Sequence, residues 1–414
     1  MPSYLNCYNL QMKILGTINI RNVSASSLLW LLFLAFVFMV PISQWACVRL
    51  LMACLVFSFF VRSPQSHVIL FFRNAWDIIL YLLVLLVGLL YSDDLPLGLR
   101  VLETNFSFLA MPIVFYKVDD FNKKKLHLIF QTFSFGLIVS SLICLFNAAI
   151  KYVNTGDIHA FFFYELTDVL DFQPTYFAYY IIFTISFGLY LFYFHQVWIN
   201  YKLQLIVLLF LFFILMLTGG LTSFISILLV LSFFVLKFWT NEKTKIRTQS
   251  FAIVVVMIIG MFLFSHLYKK LDTPSYKITD HWERLELWES SINANINPWL
   301  GVGTGDYKKE LNKFYTEHQM KIYAQESYNA HNQYIQILFS NGAMGLIALV
   351  FLIGRPLYIS VRNQNVLGAL TFFPFLIYGM TEVFLGRFQG VVFFALLHQI
   401  FLTFYTNGRP QQII

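Results

Sequence analysis

The sequence is short of charge. Only 12% of its 414 residues are Asp, Glu, Lys or Arg, about half the ~25% usual for a soluble domain. That shortage excludes an ordinary water-solvated fold of this length. Cysteine is scarce too: Cys7, Cys47, Cys54 and Cys144 are the complete set. None lies in the one long polar stretch, so no disulfide framework is expected there, and all four read as small apolar residues in or near helices. No Cys/His spacing has the pattern of a metal site, and no metal or other cofactor is expected. No internal repeat is visible. The first 25 residues are mixed and polar, with Lys13 and Arg21, and lack a small-residue cleavage site. The first apolar segment is therefore expected to stay as an anchor.

What remains is apolar. Hydrophobic residues make up 58% of the chain, aromatic residues 19%, and Phe alone occurs 47 times; the mean hydropathy is +0.68. The apolar residues fall in runs close to the ~20 residues that cross a bilayer as a helix. Spans are expected at 26–43, 45–61, 74–91, 99–116, 126–150, 174–194, 203–217, 221–238, 250–268, 333–354, 366–384 and 388–406. The net charge of +7 does not point to nucleic acid, because its distribution follows the membrane. Lys117, Lys123, Lys124 and Lys125 fall in one connection, and Lys237, Lys243, Lys245 and Arg247 in another. Short connections on the opposite side carry Asp93, Asp94, Asp157, Glu165, Asp168 and Asp171. By the positive-inside rule both termini are cytoplasmic.

The expected architecture is all-α: a polytopic membrane protein with about 12 transmembrane helices and a large helical loop on the non-cytoplasmic face. Residues 1–25 form a cytoplasmic tail, 26–268 the first nine helices, 269–332 the outer loop, 333–407 the last three helices, and 408–414 a second cytoplasmic tail.

Loops as long as 269–332 are usually functional or disordered, and this one does not have a disordered composition. Trp282, Leu285, Trp288, Ile292 and Ile296 recur at near-helical spacing, with Asp280 as N-cap and Pro298 as stop. Gly301, Gly303 and Gly305 follow, then a second stretch with Tyr307, Leu311, Phe314 and Ile322 on one face. Two helices on the outer surface, joined by a glycine turn, are expected. The glycines follow a helix, so a dinucleotide site is disfavoured; a tight turn and a backbone cradle for phosphate are the two readings. Arg284 reads either as an i,i+4 partner of Asp280 or as a phosphate ligand, since guanidinium binds phosphate oxygens bidentately. His331 stands where the loop re-enters the membrane, a place suited to a general base for an alcohol.

The stretch Asn297–Tyr307 (NPWLGVGTGDY), Arg284 with Trp288, and His331-Asn332 followed after nine residues by Gly342 and Gly345 resemble the O-antigen ligase family. Weaker echoes are Asp94 to Arg100, Pro174-Thr175-Tyr176, and Glu382 to Gly390. The resemblance implies a GT-C-like glycosyltransferase of the bacterial inner membrane, with its active site facing the periplasm. It implies a polyprenyl-diphosphate-linked glycan as donor and a lipid A–core sugar hydroxyl, or another glycan, as acceptor. Transfer would be inverting and metal-independent, with the donor's lipid tail in a groove between helices. His331 and Arg284 take the catalytic roles under this reading. Where the family often carries a Ser-Arg pair, this chain has Leu217-Thr218-Gly219-Gly220-Leu221-Thr222. The topology offers other cations at the outer helix ends. Arg100, Arg387 and Arg49, with Asn332, are the candidate substrate-binding residues; Lys151, Lys269 and Lys270 are further cations, and Glu382 is a partner for Arg387. Gln173 and Tyr176 are possible sugar contacts, with an interfacial aromatic belt as the alternative for Tyr176.

Two other readings stand beside ligation. A polymerase joining lipid-linked repeat units would use the same loop. A polysaccharide transporter or flippase would show inverted repeats and mid-membrane charge, and neither is evident in the sequence.

Overall fold

The computed structural model describes residues 24–61, 66–117, 122–193, 201–239, 254–260, 281–294 and 297–406. These are helical, with no strand among them. The helices are α1 (Ala25–Met39), α2 (Gln44–Ser58), α3 (Ser66–Leu90), α4 (Leu95–Thr104), α5 (Ser107–Tyr116), α6 (Lys123–Thr155), α7 (Phe163–Thr167), α8 (Pro174–Tyr193), α9 (Tyr201–Thr218), α10 (Leu221–Trp239), α11 (His281–Asn293), α12 (Tyr307–Glu317), α13 (Lys321–Glu326), α14 (Gln333–Arg362), α15 (Val366–Thr381) and α16 (Phe388–Thr406). Among the described residues, five segments are by length and composition able to cross a membrane: Phe72–Leu90, Leu95–Tyr116, Lys124–Thr155, Pro174–Tyr193 and Gln333–Arg362. Shorter apolar helices accompany them. The protein is a polytopic helical membrane protein. Of the span expected at 250–268, only 254–260 is described, and it is helical. Cys7, Lys13, Arg21, Lys243, Lys245, Arg247, Lys269, Lys270, Asp280 and the C-terminal tail lie outside the described residues.

Chain-local signals set the helix ends. Ser24, Ser43, Asp94, Asn122 and Asn365 each accept a backbone N–H three residues on, as N-caps. Gly156 closes α6 in the left-handed conformation at φ 71°. Gly219 turns α9 into α10 at φ 63°.

The core is aromatic. α8 is buried on every side from Tyr176 to Leu191, as expected of a helix that is apolar all round. It packs against α6, α9, α10 and α15. Phe393 of α16 stacks on Phe133 at 5.0 Å and lies 4.4 Å from the ring of Tyr180. The buried tyrosines give their hydroxyls to backbone carbonyls, Tyr179 to Thr371 and Tyr180 to Gln389, both at 2.7 Å. Tyr176 is likewise buried and donates to the Val383 carbonyl, so it is a core strut and not part of an interfacial belt. Cys47, Cys54 and Cys144 are free and buried.

Charge is not confined to the outer helix ends, as the sequence reading had it. Asp77 of α3 is fully buried between Arg355 of α14 and His398 of α16. Its two carboxylate oxygens meet Arg355 Nη1 at 2.7 Å and His398 Nε2 at 2.8 Å. These three residues are separated by some 280 and 320 positions in the chain, so local sequence gave no hint of the cluster. A charge inside the bundle persists only when paired in this way.

Candidate active site

The outer segment carries a small core of its own: Leu287, Leu311, Tyr315 and Phe339, with Tyr323 and Tyr328 against them. The expected helical stretches form, but their buried faces differ from the apolar stripes read in the sequence. Leu285, Ile292 and Ile322 are exposed, while Leu287, Ser290 and Ser291 are buried. The second stretch breaks into α12 and α13 at 318–320, where Gln319 takes a φ of 58°, so Ile322 leaves the Leu311 face.

The glycine segment is not a surface turn. It is sewn into the membrane bundle where α14 is broken. Gly342, inside α14, has φ 64° and ψ −163°. The interrupted helix exposes backbone groups, and the segment uses them: Val302 N–H donates to Phe339 O, Gly303 N–H to Ser340 O, and Ala343 N–H to Pro298 O, at 3.0, 2.9 and 2.8 Å. A Cβ on Gly301 would lie 2.6 Å from the amides of Asn341 and Gly342, and one on Gly342 would strike Trp299. On the other side Thr304 and Gly305 reach Gly88 of α3 and Ser92 just beyond its end. The carboxylate of Asp306 accepts the amides of Asp93 and Asp94 at 2.9 and 2.8 Å. The amides of 302–306 that a phosphate cradle would need are spent on protein partners, that of Asp306 in a local turn with Gly303.

That suture fixes the start of α14. Asn332 caps it, accepting the amides of Tyr334 and Ile335 at 2.9 and 3.1 Å and donating to Met380 O. His331, just before the cap, has a left-handed φ of 42°. For a residue with a side chain this conformation is uncommon and is seen at sites that surrounding contacts over-determine. Here Asn329 Oδ1 accepts the His331 amide at 2.9 Å, and the Tyr328 ring stands 5.7 Å from the imidazole. The imidazole Nδ1 lies 3.7 Å from Glu382 Oε2. Glu382 follows the last turn of α15 in an extended conformation. Burial pushes its carboxyl pKa up, but His331, the Val383 amide and the charge of Arg387 outweigh this and hold it below the usual value. Gln333 fixes the opposite side by accepting the Leu385 amide at 2.7 Å.

His331 and Glu382 open into a cavity of about 600 Å³ whose wall also includes Arg100 and Arg387. Both arginines are exposed. The structure therefore brings together three of the residues singled out in the sequence, His331, Arg100 and Arg387, and places Glu382 on the histidine instead of solely on Arg387. The other three lie elsewhere. Arg284 donates to the Thr381 carbonyl at 3.2 Å, directly behind Glu382. Thr222 of the 218–222 hairpin reaches the same Thr381 through its hydroxyl at 2.8 Å, so Arg284 arrives beside the segment that lacks a basic residue. Arg49 lies over the exposed Trp45 ring and does not line the cavity. Asn332 does not line it either, because its side chain is spent on the cap and on Met380. Lys151 is held by Glu165 and Asp168 at the surface. Gln173 lines the cavity. Sequence reasoning missed the carboxylate–imidazole pair and the amides of Asn105 and Gln336 in the cavity wall. The polar residue inside an apolar helix was the available signal for Gln336.

The family model for O-antigen ligase matches residues 206–350. It runs from α9 through the outer segment and the α14 kink, and includes Arg284, the glycine suture and His331. An uncharacterized protein of Haemophilus influenzae is 25% identical over 122 residues, covering 27% of this chain and 31% of its own length. The alignment thus spans about a third of that relative. The match covers about a third of the chain, and over residues 206–350 this helical membrane protein is similar to the O-antigen ligase family.

Proposed function

We propose that the protein transfers a glycan from a polyprenyl-diphosphate donor to a sugar hydroxyl, at the face that carries the outer segment. The observation that supports this most is the His331–Glu382 pair in one cavity with Arg100 and Arg387. With Nδ1 turned to the carboxylate, His331 keeps Nε2 for the acceptor. The carboxylate orients the ring and stabilises the imidazolium that forms. The acceptor oxygen attacks the anomeric carbon as its proton passes to Nε2, and the bond from that carbon to the diphosphate oxygen breaks. The electron pair leaves on the diphosphate, where Arg100 and Arg387 meet the growing negative charge. Attack opposite the leaving group inverts the centre. No step in this scheme calls for a metal.

Arg284 supplies positive charge near the 218–222 hairpin and positions Glu382 through Thr381. The donor's lipid tail lies among the helices. The cell would place this chemistry at the periplasmic side of a bacterial inner membrane, with the loop at 269–332 periplasmic and both tails cytoplasmic. The acceptor is lipid A–core sugar in a ligase and a second lipid-linked glycan in a polymerase; the His331–Asn332–Gly342–Gly345 pattern favours the ligase. A transporter is the weaker reading, because Asp77, Arg355 and His398 inside the bundle pair with one another.

Complementation of a deletion strain tests the proposal, with envelope glycan displayed on a gel. Wild type should restore the ladder and His331→Ala should not. A full ladder from His331→Ala at normal protein level would overturn the assignment. Accumulation of long unattached glycan in the deletion supports the ligase, and accumulation of single repeat units the polymerase.

A further inference from the structure

We infer that the cavity contains a binding subsite for a neutral sugar ring, built on Gln336 and Asn105. The inference rests on the glycosyl-transfer reading for its context. It stands on the geometry of two amides. Gln336 lies one turn into α14 and is 6% exposed; Asn105 ends α4 and is 2% exposed. Each makes one internal hydrogen bond that fixes its orientation. Gln336 Oε1 accepts the Ala330 amide at 3.2 Å, and Asn105 Nδ2 donates to Val101 O at 2.9 Å. The other half of each amide, Gln336 Nε2 and Asn105 Oδ1, is buried with no protein partner. Both residues line the cavity. Buried amide groups are ordinarily satisfied, and a pair left open calls for an explanation.

The two open atoms are complementary in kind. Gln336 Nε2 only donates and Asn105 Oδ1 only accepts. A sugar hydroxyl does both, so the hydroxyls of a pyranose suit either atom. A diphosphate has acceptors alone and would leave Asn105 Oδ1 facing another oxygen. Val101, Ile337 and Leu85 of the same cavity offer apolar surface to the C–H face of a ring, and Ser340 a further hydroxyl. Such a mixture of apolar surface and a few convergent polar groups is the usual make-up of a small-molecule site. The ring belongs either to the donor, next to its diphosphate, or to the acceptor, next to His331.

The test uses the purified full-length chain in nanodiscs. Saturation-transfer NMR is recorded with the methyl glycosides of glucose, galactose, N-acetylglucosamine and a heptose, and separately with pyrophosphate. At least one glycoside should bind wild type. Gln336→Glu keeps the acceptor for Ala330 and removes the donor; Asn105→Leu removes the acceptor. Each should weaken glycoside binding about 10-fold, the usual effect of one lost hydrogen bond, and leave pyrophosphate binding unchanged. Gln336→Met replaces the first variant if the new carboxylate lowers the melting temperature. Absence of glycoside binding to wild type, or binding unmoved in the folded variants, overturns the subsite. Steady-state transfer from an undecaprenyl-diphosphate-linked glycan then identifies the ring: a raised KM for donor or for acceptor. Glycoside binding that depends on Gln336, in a wild-type protein that performs no transfer, would sink the transfer reading and keep the subsite. His331→Ala should lose transfer and keep glycoside binding.

Discussion

Glu382 Oε2 stands 3.7 Å from His331 Nδ1, joining the end of α15 to the entry of α14 across some fifty residues of chain. If this pair prepares the base, Glu382→Gln should cut transfer strongly while leaving the carbonyl contact to Arg284 in place. The expected loss is about 10²-fold or more, the scale of general-base catalysis. The measurement is kcat on purified protein, with the melting temperature as control. Activity within a few-fold of wild type would remove Glu382 from the mechanism.

The same pair gives a pH dependence. Despite burial, the Glu382 carboxyl is held below its ordinary value by His331, the Val383 amide and Arg387. Its contribution to stability is therefore present above the unfolded carboxylate pKa, about 4.3. It is lost as pH falls through the lower folded value. Melting temperature measured from pH 7 down to pH 3 should fall at the acid end, and Glu382→Gln should flatten that fall.

Arg100 and Arg387 share the cavity but touch different elements. Replacing either by Ala should raise the KM for the diphosphate donor by about 10-fold, the scale of a lost charge-assisted hydrogen bond, and leave acceptor KM nearly unchanged. Arg49→Ala, over Trp45 and away from the cavity wall, should change neither.

Gly301 and Gly342 both have positive φ and pack at one seam, Gly301 against the backbone of 340–342 and Gly342 against that of Trp299 and Leu300. Gly301→Ala or Gly342→Ala should cost about 1–3 kcal/mol, the range for overpacking. Because the two share one contact, the double variant should fall short of the sum. Thermal unfolding of the three proteins in one detergent measures this.

Asp77→Ala leaves the buried His398 and the half-buried Arg355 without their shared carboxylate. A loss of about 3–5 kcal/mol is expected, as for one partner removed from a buried pair. Asp77→Leu combined with Arg355→Met should recover much of it. An undiminished melting temperature in Asp77→Ala would show that the cluster is not what pins α3 to α14 and α16.

Much of this was legible in the chain, and what was not has a physical reason. Hydropathy locates the apolar helices because each must be continuous to satisfy its own backbone in lipid. His331, Arg100 and Arg387 were found because a water-facing loop and the helix ends it joins are local features. The partner of His331 was not, since Glu382 looked equally suited to nearby Arg387 and only the packing of α14 on α15 decides. The glycines of 301–305 read as a turn because sequence cannot show that their amides are claimed by Phe339, Ser340, Gly88 and Ser92. The apolar stripes at Leu285, Ile292 and Ile322 do not mark the buried faces, because periodicity gives an apolar side, not what covers it. Asp77, Arg355 and His398 each look like an isolated charge in an apolar run and become a cluster only in three dimensions.

The suture of residues 298–306 into the broken α14 has a mechanical consequence. A flap swings about two hinges and needs a free edge between them. This segment has none, because one flank is tied to α14 and the other to α3. It is better described as a rivet: whatever moves it must move the two helices it holds. On the proposed function, a lipid-carried substrate would meet an opening whose wall at Thr304 and Asn341 is already set.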